Sequence, residues 1–335
     1  MPAADDKGAV QALIDPSLLA PAASLRQQFE TAQPFPHLVL DSFLTSDFCE
    51  QLRREFPAFD AKKALNEFGQ IGGKAVREDL VSLGPAYRRF DELMRSRDFL
   101  DLVCRLTGIT ELLYDPDYIG GGTHDNREGQ DLDPHVDFNY HPKRRWHRRL
   151  NLILFLNPEW SEEWGGALQL HRNPWEPDQD LVRTVVPRLN RGVLFETSER
   201  SWHGFKRIVL PADRKDLSRR SIAVYFYTRK RPETQTAPSH GTFYVQRPLP
   251  DHIQAGHTLT PDDADLIRNL MDRRDQQVRF LYQRELQFSA ILDGMTRTWA
   301  FHIRRALKWP LRKWRARRQA AVRNDLSERV DVVSR

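Results

Sequence analysis

The sequence predicts an α+β protein that is mainly β, with helices before and after a block of short strands. Three observations predict this class. Apolar residues recur at helical spacing before residue 108, short apolar runs alternate with Gly and Pro turn signals between residues 112 and 230, and helical periodicity returns after Pro261. Several short strands at such spacing are typical of a β-sandwich or barrel.

The N-terminal part is predicted to be weakly structured until the first strand. Residues 1–33 show little periodicity and are interpreted as an arm with one helical stretch near Leu25 to Thr31. His37 to Leu40 is typical of a short strand. A helix is predicted next, because apolar residues recur there every four positions on one face. That face consists of Phe48, Leu52 and Phe56.

A second helical region is predicted over residues 86–107. Gly108 follows it directly, where a glycine commonly ends a helix. The apolar stripe of this region is continuous enough to bury one face against a core. It consists of Phe90, Leu93, Phe99, Leu100, Val103 and Leu106.

The strand block is clearest at Leu150 to Leu156, a nearly continuous apolar run that ends at Asn157 and Pro158. Its length favours a buried strand over a helix. Further strands are predicted wherever short apolar segments lie between Gly and Pro turn signals. They are Ala167 to Leu170, Val182 to Val186, Gly192 to Glu196 and Ser221 to Thr228.

Behind the strands, residues 232–260 are interpreted as a linker and residues 261–335 as a helical tail. The tail holds the positive charge of the chain: residues 291–323 carry ten Lys and Arg against one acid, a net charge of +9. The rest of the sequence sums to −4, so the main domain is mildly acidic. Nucleic-acid binding by that domain is therefore not expected.

Composition excludes several protein classes. Apolar residues make up 40% and charged residues 29% of the chain, which is ordinary for a globular protein and unlike a collagen or a disordered chain. No stretch approaches the ~18 apolar residues of a membrane span, and the first residues do not resemble a signal peptide. With only two cysteines, no disulfide framework is expected, and the cytoplasm is the predicted compartment.

One short motif carries candidate chemistry. His135 and Asp137 are two residues apart in a stretch predicted to be extended, so their side chains point to the same face and can bind one metal ion. His203, after a later strand, could complete a set of two histidines and one carboxylate, which is typical of non-haem Fe(II) oxygenases. Arg219 and Arg220 begin an apolar strand, where a guanidinium can hold a carboxylate with two hydrogen bonds.

In their order along the chain, four segments resemble the prolyl-4-hydroxylase-like branch of the Fe(II)/2-oxoglutarate-dependent dioxygenases. The resemblance implies a double-stranded β-helix, or jelly roll, with flanking helices over residues 34–231. The segments are Pro34 to His37 with Asp41 to Leu44, His135 to Phe138, Leu150 to Asn157 with Trp164 to Leu168, and Gly192 to Phe195 with Ser201 to Gly204 and Arg219 to Tyr225.

The resemblance also implies site roles. His135, Asp137 and His203 match the iron ligands, Arg219 matches the residue that binds the distal carboxylate of 2-oxoglutarate, and Tyr118 falls near a tyrosine that contacts this cosubstrate. Arg220 stays an alternative to Arg219, which is preferred because it shares a strand face with small and polar side chains. The implied cofactors are Fe(II), 2-oxoglutarate and O2, with ascorbate as a supporting reductant.

The expected function is hydroxylation of a C–H bond in a protein or peptide side chain, with prolyl as the first guess. One alternative is hydroxylation of a small-molecule or saccharide intermediate. Another is a jelly-roll scaffold without catalysis that acts through its basic tail. For the tail itself, the tryptophans among its cations predict contact with a membrane surface, or packing and self-association.

Overall fold

The computed structural model describes residues 6–20, 22–60 and 75–333. The chain divides into two compact units, Met1–Leu249 and Pro250–Arg335. The first unit holds the helices and sheets that form the candidate site. The second consists of a short irregular segment and one long helix.

The first unit begins with helices that cover one face of a sheet. The predicted N-terminal arm is more ordered than expected, because Val10, Ile14 and Phe29 are buried in the main core. The predicted helical region 86–107 is divided at Ser96, whose side chain caps the second helix by accepting from the Phe99 amide. The helices are α1 (Asp6–Leu13), α2 (Ala22–Thr31), α3 (Ser46–Arg54), α4 (Pro85–Arg95) and α5 (Arg97–Thr107).

Twelve strands are present in the described part of the chain. They are β1 (His37–Leu40), β2 (Ala75–Arg77), β3 (Leu113–Tyr114), β4 (Gly122–Asn126), β5 (Leu132–Val136), β6 (His147–Phe155), β7 (Leu168–His171), β8 (Val182–Val185), β9 (Arg191–Glu196), β10 (Trp202–Phe205), β11 (Arg219–Thr228) and β12 (Phe243–Tyr244).

These strands form two antiparallel sheets. The larger has the order β1-β9-β6-β11-β4-β2, with β3 paired to β11, and the smaller has the order β12-β5-β10-β7-β8. Between β4 and β11 the chain crosses repeatedly from one sheet to the other, so that each sheet receives four of these eight strands. Eight strands in two such sheets form a jelly roll, and the predicted fold class is confirmed.

The two faces of the larger sheet have different partners. Leu150, Leu152 and Leu154 on β6 are buried in the main core together with residues of the helices. Asn151 and Ile153 alternate with them and line a pocket on the opposite face. The period of two along β6 therefore separates the helix-packed face from the face that holds the site.

Two segments behave differently from the sequence-based expectation. Within the predicted linker, β12 pairs with β5, setting Tyr244 opposite His135, so this part of the segment extends the smaller sheet. In the second unit, Pro310 is expected to kink or split the helical tail, because proline lacks the backbone N–H, but α6 runs from Pro261 to Val333 without interruption. No helix in the described part of the chain is long and apolar enough to cross a membrane.

We expect Gly165→Ala to reduce stability, because Gly165 has φ of +68° and an added Cβ would lie 2.0 Å from the backbone oxygen of Arg207. Strain of this kind costs about 1–3 kcal/mol. Urea denaturation followed by circular dichroism should show a lower free energy of unfolding. Gly241→Ala is the control, since nothing lies within 4 Å of its Cβ position. Equal stability of the two variants would contradict the prediction.

Candidate active site

Adjacent strands of the smaller sheet bring the three predicted metal ligands together. β10 pairs with β5 so that His203 lies opposite His135, and Asp137 follows the end of β5 two residues after His135. The rings of the two histidines have centroids 4.2 Å apart. Asp137 Oδ1 lies 3.8 Å from Nε2 of His135, and Oδ2 lies 3.5 Å from Nε2 of His203.

Backbone carbonyls fix the orientation of both imidazoles. Nδ1 of His135 lies 2.9 Å from the oxygen of Asp133, and Nδ1 of His203 lies 2.9 Å from the oxygen of Ser201. A carbonyl can only accept, so in each ring Nδ1 carries the proton and Nε2 keeps its lone pair. Both lone pairs therefore belong to the nitrogens that face Asp137, which is the protonation state that a metal ion needs.

A buried polar network holds the carboxylate of Asp137. Asn151 Nδ2 donates to Oδ2 at 2.8 Å, and Nη2 of Arg148 lies 3.0 Å from the same oxygen. The Arg148 Nε donates in turn to Asn151 Oδ1 at 2.9 Å. Burial alone would raise the pKa of Asp137, but Arg148, with smaller contributions from the two histidines and Asn151, holds that pKa well below its usual value. The carboxylate is therefore ionised, and its Oδ1 lies 3.8 Å from Nε2 of His135.

The geometry suits a divalent metal ion. One atom from each of His135, Asp137 and His203 lies within 4.8 Å of the other two. Two neutral imidazoles and one carboxylate on one side of a point leave the remaining positions of an octahedron for other ligands. This set is the chemistry of a non-haem iron centre.

Two further groups of His and Asp side chains lie close together but have other partners. In the first, Asp115 and Asp117 face His141, and Lys143 and Arg144 form ion pairs with Asp117. In the second, both His252 and His257 hydrogen-bond to Asp263 near the start of α6. Each carboxylate there already has a protein partner, and neither group faces the pocket.

Arg219 lies in the pocket beside the triad, whereas Arg220 does not line it. The Arg219 Nε donates to the oxygen of Gly166 at 2.6 Å, and its guanidinium lies over the rings of Phe155 and Phe205. Burial lowers the pKa of Arg219 to about 9, which still leaves it charged at neutral pH. It forms no ion pair with any described residue, so a buried cation faces the pocket without a counter-ion.

Other polar atoms beside Arg219 also lack partners within the described part of the chain. Ser221 Oγ and Asn126 Oδ1 are buried, have no hydrogen bond, and belong to residues that line the same pocket. A buried polar group without a partner is costly, so a ligand that supplies hydrogen bonds would stabilise this region. A cation with a nearby hydroxyl fits the distal carboxylate of 2-oxoglutarate.

The structure places Tyr118 away from the pocket. Its hydroxyl donates to Asp91 at 3.2 Å, and its ring packs edge-on against Tyr114. It lines a separate cleft below α4 rather than the face that holds the triad. The expected contact between Tyr118 and the cosubstrate therefore has no support in its position, because the residue precedes β4 in a turn whose side chain points toward the helices.

Several residues that line or support the pocket were not predicted from the sequence. Asn151 could have been found, since it is a polar residue inside an otherwise apolar run. Arg148 also stands out as a polar residue in a buried strand, but the sequence alone does not show that this part of the strand is buried. His124 and Asn126 lie on β4, whose polar sequence does not resemble a strand, and Tyr244 lies in the segment interpreted as a linker.

Comparison with known proteins agrees with this chemistry. Residues 122–227 match the family model described as the 2OG-Fe(II) oxygenase superfamily. The chain is similar to prolyl 3-hydroxylase OGFOD1 of Mus musculus, with 25% identity over 242 residues, which cover 68% of this chain and 38% of the mouse protein. The Xenopus laevis protein of the same name is 28% identical over 194 residues, which cover 52% of this chain and 32% of the relative.

The chain thus spans well under half of the length of these two relatives. Among solved structures it is similar to a prolyl hydroxylase from Trichoplax adhaerens in complex with a peptide fragment of the hypoxia inducible factor oxygen degradation domain. That similarity has a TM-score of 0.43 and 17% identity, and it covers 63% of this chain and 90% of the other.

The family model confirms the predicted resemblance to the Fe(II)/2-oxoglutarate-dependent dioxygenases, and the matched residues include the triad and Arg219. Residues 122–227 match a 2OG-Fe(II) oxygenase domain, and Fe(II) and 2-oxoglutarate are confirmed as the cofactor and cosubstrate of this class.

We expect Asn151→Ala to weaken metal binding, because it removes the amide that orients Asp137 and leaves the Arg148 Nε without its acceptor. Loss of such an outer-shell contact typically costs about 10–100-fold in metal affinity. Anaerobic titration with Mn(II), followed by electron paramagnetic resonance, measures it. Asn157→Ala is the matched control, since Asn157 is also buried and donates instead to the oxygen of Ser218. An equal loss in both variants would contradict a specific role for Asn151.

Proposed function

Because residues 122–227 match a 2OG-Fe(II) oxygenase domain, we propose that the protein hydroxylates a prolyl residue of a protein or peptide. One observation carries the proposal: two carbonyl-oriented imidazoles and one buried carboxylate converge beside an arginine that has no counter-ion among the described residues. This combination provides a site for Fe(II) and a site for a dicarboxylic cosubstrate in one pocket.

The triad would hold the iron through Nε2 of His135, Nε2 of His203 and a carboxylate oxygen of Asp137. When bound, Fe(II) would couple O2 to the oxidative decarboxylation of 2-oxoglutarate and to substrate hydroxylation. The protein's part is to hold three ligands on one side and to keep the carboxylate ionised. Asn151 and Arg148 do the latter by satisfying one oxygen of Asp137.

Arg219 would hold the distal carboxylate of 2-oxoglutarate, with Ser221 as a hydrogen-bond donor beside it. Both side chains lie on the inner face of β11, two residues apart. The aromatic rings of Phe155 and Phe205 lie against the guanidinium and make this part of the pocket less polar. An ion pair formed there is stronger than the same pair in water.

The substrate would enter past β12 and the loop that precedes it. Tyr244 lies opposite His135 in the sheet, and their ring centroids are 5.1 Å apart. Asn139 fixes the preceding loop by donating to the oxygen of Pro238 at 2.8 Å and accepting from the amide of His240 at 3.0 Å. On this path, a prolyl ring that approaches the metal site would pass beside the aromatic ring of Tyr244.

The prolyl substrate class is supported by the names of the two relatives, both prolyl 3-hydroxylases. We propose a protein or peptide substrate for the same reason. For the compartment we propose the cytoplasm, in agreement with the free thiols of Cys49 and Cys104.

The proposal is tested by incubating the protein with Fe(II), 2-oxoglutarate, ascorbate and a library of proline-containing peptides. We expect succinate release that depends on peptide, and a mass increase of one oxygen on a prolyl residue. His203→Ala should abolish both while leaving the fold intact, because it removes one of three metal ligands. Peptide-independent turnover, with hydroxylation of an added metabolite instead, would replace the prolyl substrate with a small molecule.

We expect Arg219→Ala to raise the apparent KM for 2-oxoglutarate by two orders of magnitude or more. Removing one partner of a buried charge pair costs ~3–5 kcal/mol, and every ~1.4 kcal/mol is a factor of ten. Steady-state succinate formation measures this. Arg220→Ala is the control, because the Arg220 Nε donates to Ser218 and its guanidinium lies over Phe56, outside the pocket. The opposite ranking would transfer the role to Arg220.

A further inference from the structure

Helix α6 carries a long apolar stripe that is exposed. Its large apolar side chains recur at alternating intervals of three and four residues, the spacing of the a and d positions of a heptad repeat. Seven of them are between 41% and 66% exposed. They are Met271, Val278, Leu281, Phe288, Leu292, Met295 and Trp299.

The stripe is long enough for a coiled coil. Continued toward the start of α6 it includes Ala264 and Ile267, so nine of eleven a and d positions from Ala264 to Trp299 are apolar. At 1.5 Å per residue this stretch is about 52 Å long. Five heptads exceed the three to four that a coiled coil needs. Phe280 and Leu286 lie outside the stripe.

The charges of this stretch do not favour a membrane surface. Residues 264–299 contain six arginines and five acids, so the net attraction to anionic lipid is small there. The strongly basic part of the tail begins only at Arg304. An exposed stripe with nearly balanced charge fits another helix better than a lipid headgroup layer.

The two charged residues in the stripe indicate which helix packs against it and in which direction that helix runs. Arg274 is at a d position and Glu285 at an a position. In a parallel pair of copies in register, each would meet itself, giving one Arg–Arg and one Glu–Glu contact. In an antiparallel pair, a positions face d positions, and Arg274 of each copy meets Glu285 of the other. The same alignment sets Val278 opposite Leu281 and Met271 opposite Phe288.

We propose that the protein forms a homodimer through an antiparallel coiled coil of α6, centred between Arg279 and Phe280. Two symmetric Arg274–Glu285 pairs set its register and direction, and the apolar layers on both sides supply the stability. This inference is independent of the proposed reaction, because it uses no residue of the catalytic domain.

The test is analytical ultracentrifugation of the full chain over a wide concentration range. The wild-type protein is expected at twice its chain mass of 39.2 kDa. Arg274→Glu alone, and Glu285→Arg alone, each create two like-charged pairs and should raise the dimer dissociation constant by about tenfold or more. The double variant Arg274→Glu/Glu285→Arg restores both pairs and should return the constant to within a few-fold of the wild-type value.

Arg297→Glu serves as the matched control, because Arg297 is at an outer position of the heptad and should leave the dimer unchanged. Circular dichroism of each variant checks that α6 stays helical. A monomer at all concentrations would overturn the proposal, and so would a dimer that neither single charge reversal weakens. A monomer that sediments with anionic vesicles would assign the stripe to a membrane surface instead.

Discussion

The antiparallel pairing of β5 with β10 is the constraint on which the site depends. It sets His203 opposite His135, and the pleat of β5 places Asp137 on the same face. A slip of β10 by one residue would turn His203 to the other face, away from His135 and Asp137. The register is held from outside, where Val136 and Trp202 pack with Val245 into a small apolar cluster. The outer face of the smaller sheet thus fixes the chemistry of its inner face.

Two buried arginines contribute to the electrostatics of the pocket in different ways. Arg148 is compensated inside the protein, since it lies 3.0 Å from the carboxylate of Asp137 and 3.5 Å from the centre of the Tyr225 ring. Arg219 has no carboxylate among the described residues, and its burial is therefore costly in the free protein. The contacts with the Gly166 oxygen and with two aromatic rings offset part of that cost, and an anion would offset more, so the pocket favours a ligand with a carboxylate on the side away from the metal.

Much of the fold and the triad could be predicted, because the apolar runs of the strands and the two-residue spacing of His135 and Asp137 are visible in the sequence. β6, β9 and β11 are buried strands that appear in the sequence as short apolar runs. His135 and Asp137 are expected on the same face, because side chains two residues apart in a strand point in the same direction. β4 could not be predicted, because its buried side chains are polar and the strand is defined by its pairing with β11 and β2. β12 has only two residues and exists through its pairing with β5. The position of Tyr118 likewise depends on a turn that no periodicity reveals.

Both the candidate site and the tail contain an apolar sequence pattern that is interrupted by polar residues. Asn151 interrupts an apolar strand. The free-energy cost of burying its amide is offset within the chain, because the amide forms hydrogen bonds with Asp137 and Arg148. Arg274 and Glu285 interrupt the apolar stripe of α6, and in the proposed dimer each faces the other residue across the two copies. A second, reversed copy brings them together. In both places a polar side chain within an apolar pattern makes one arrangement of the packed elements more favourable than the others.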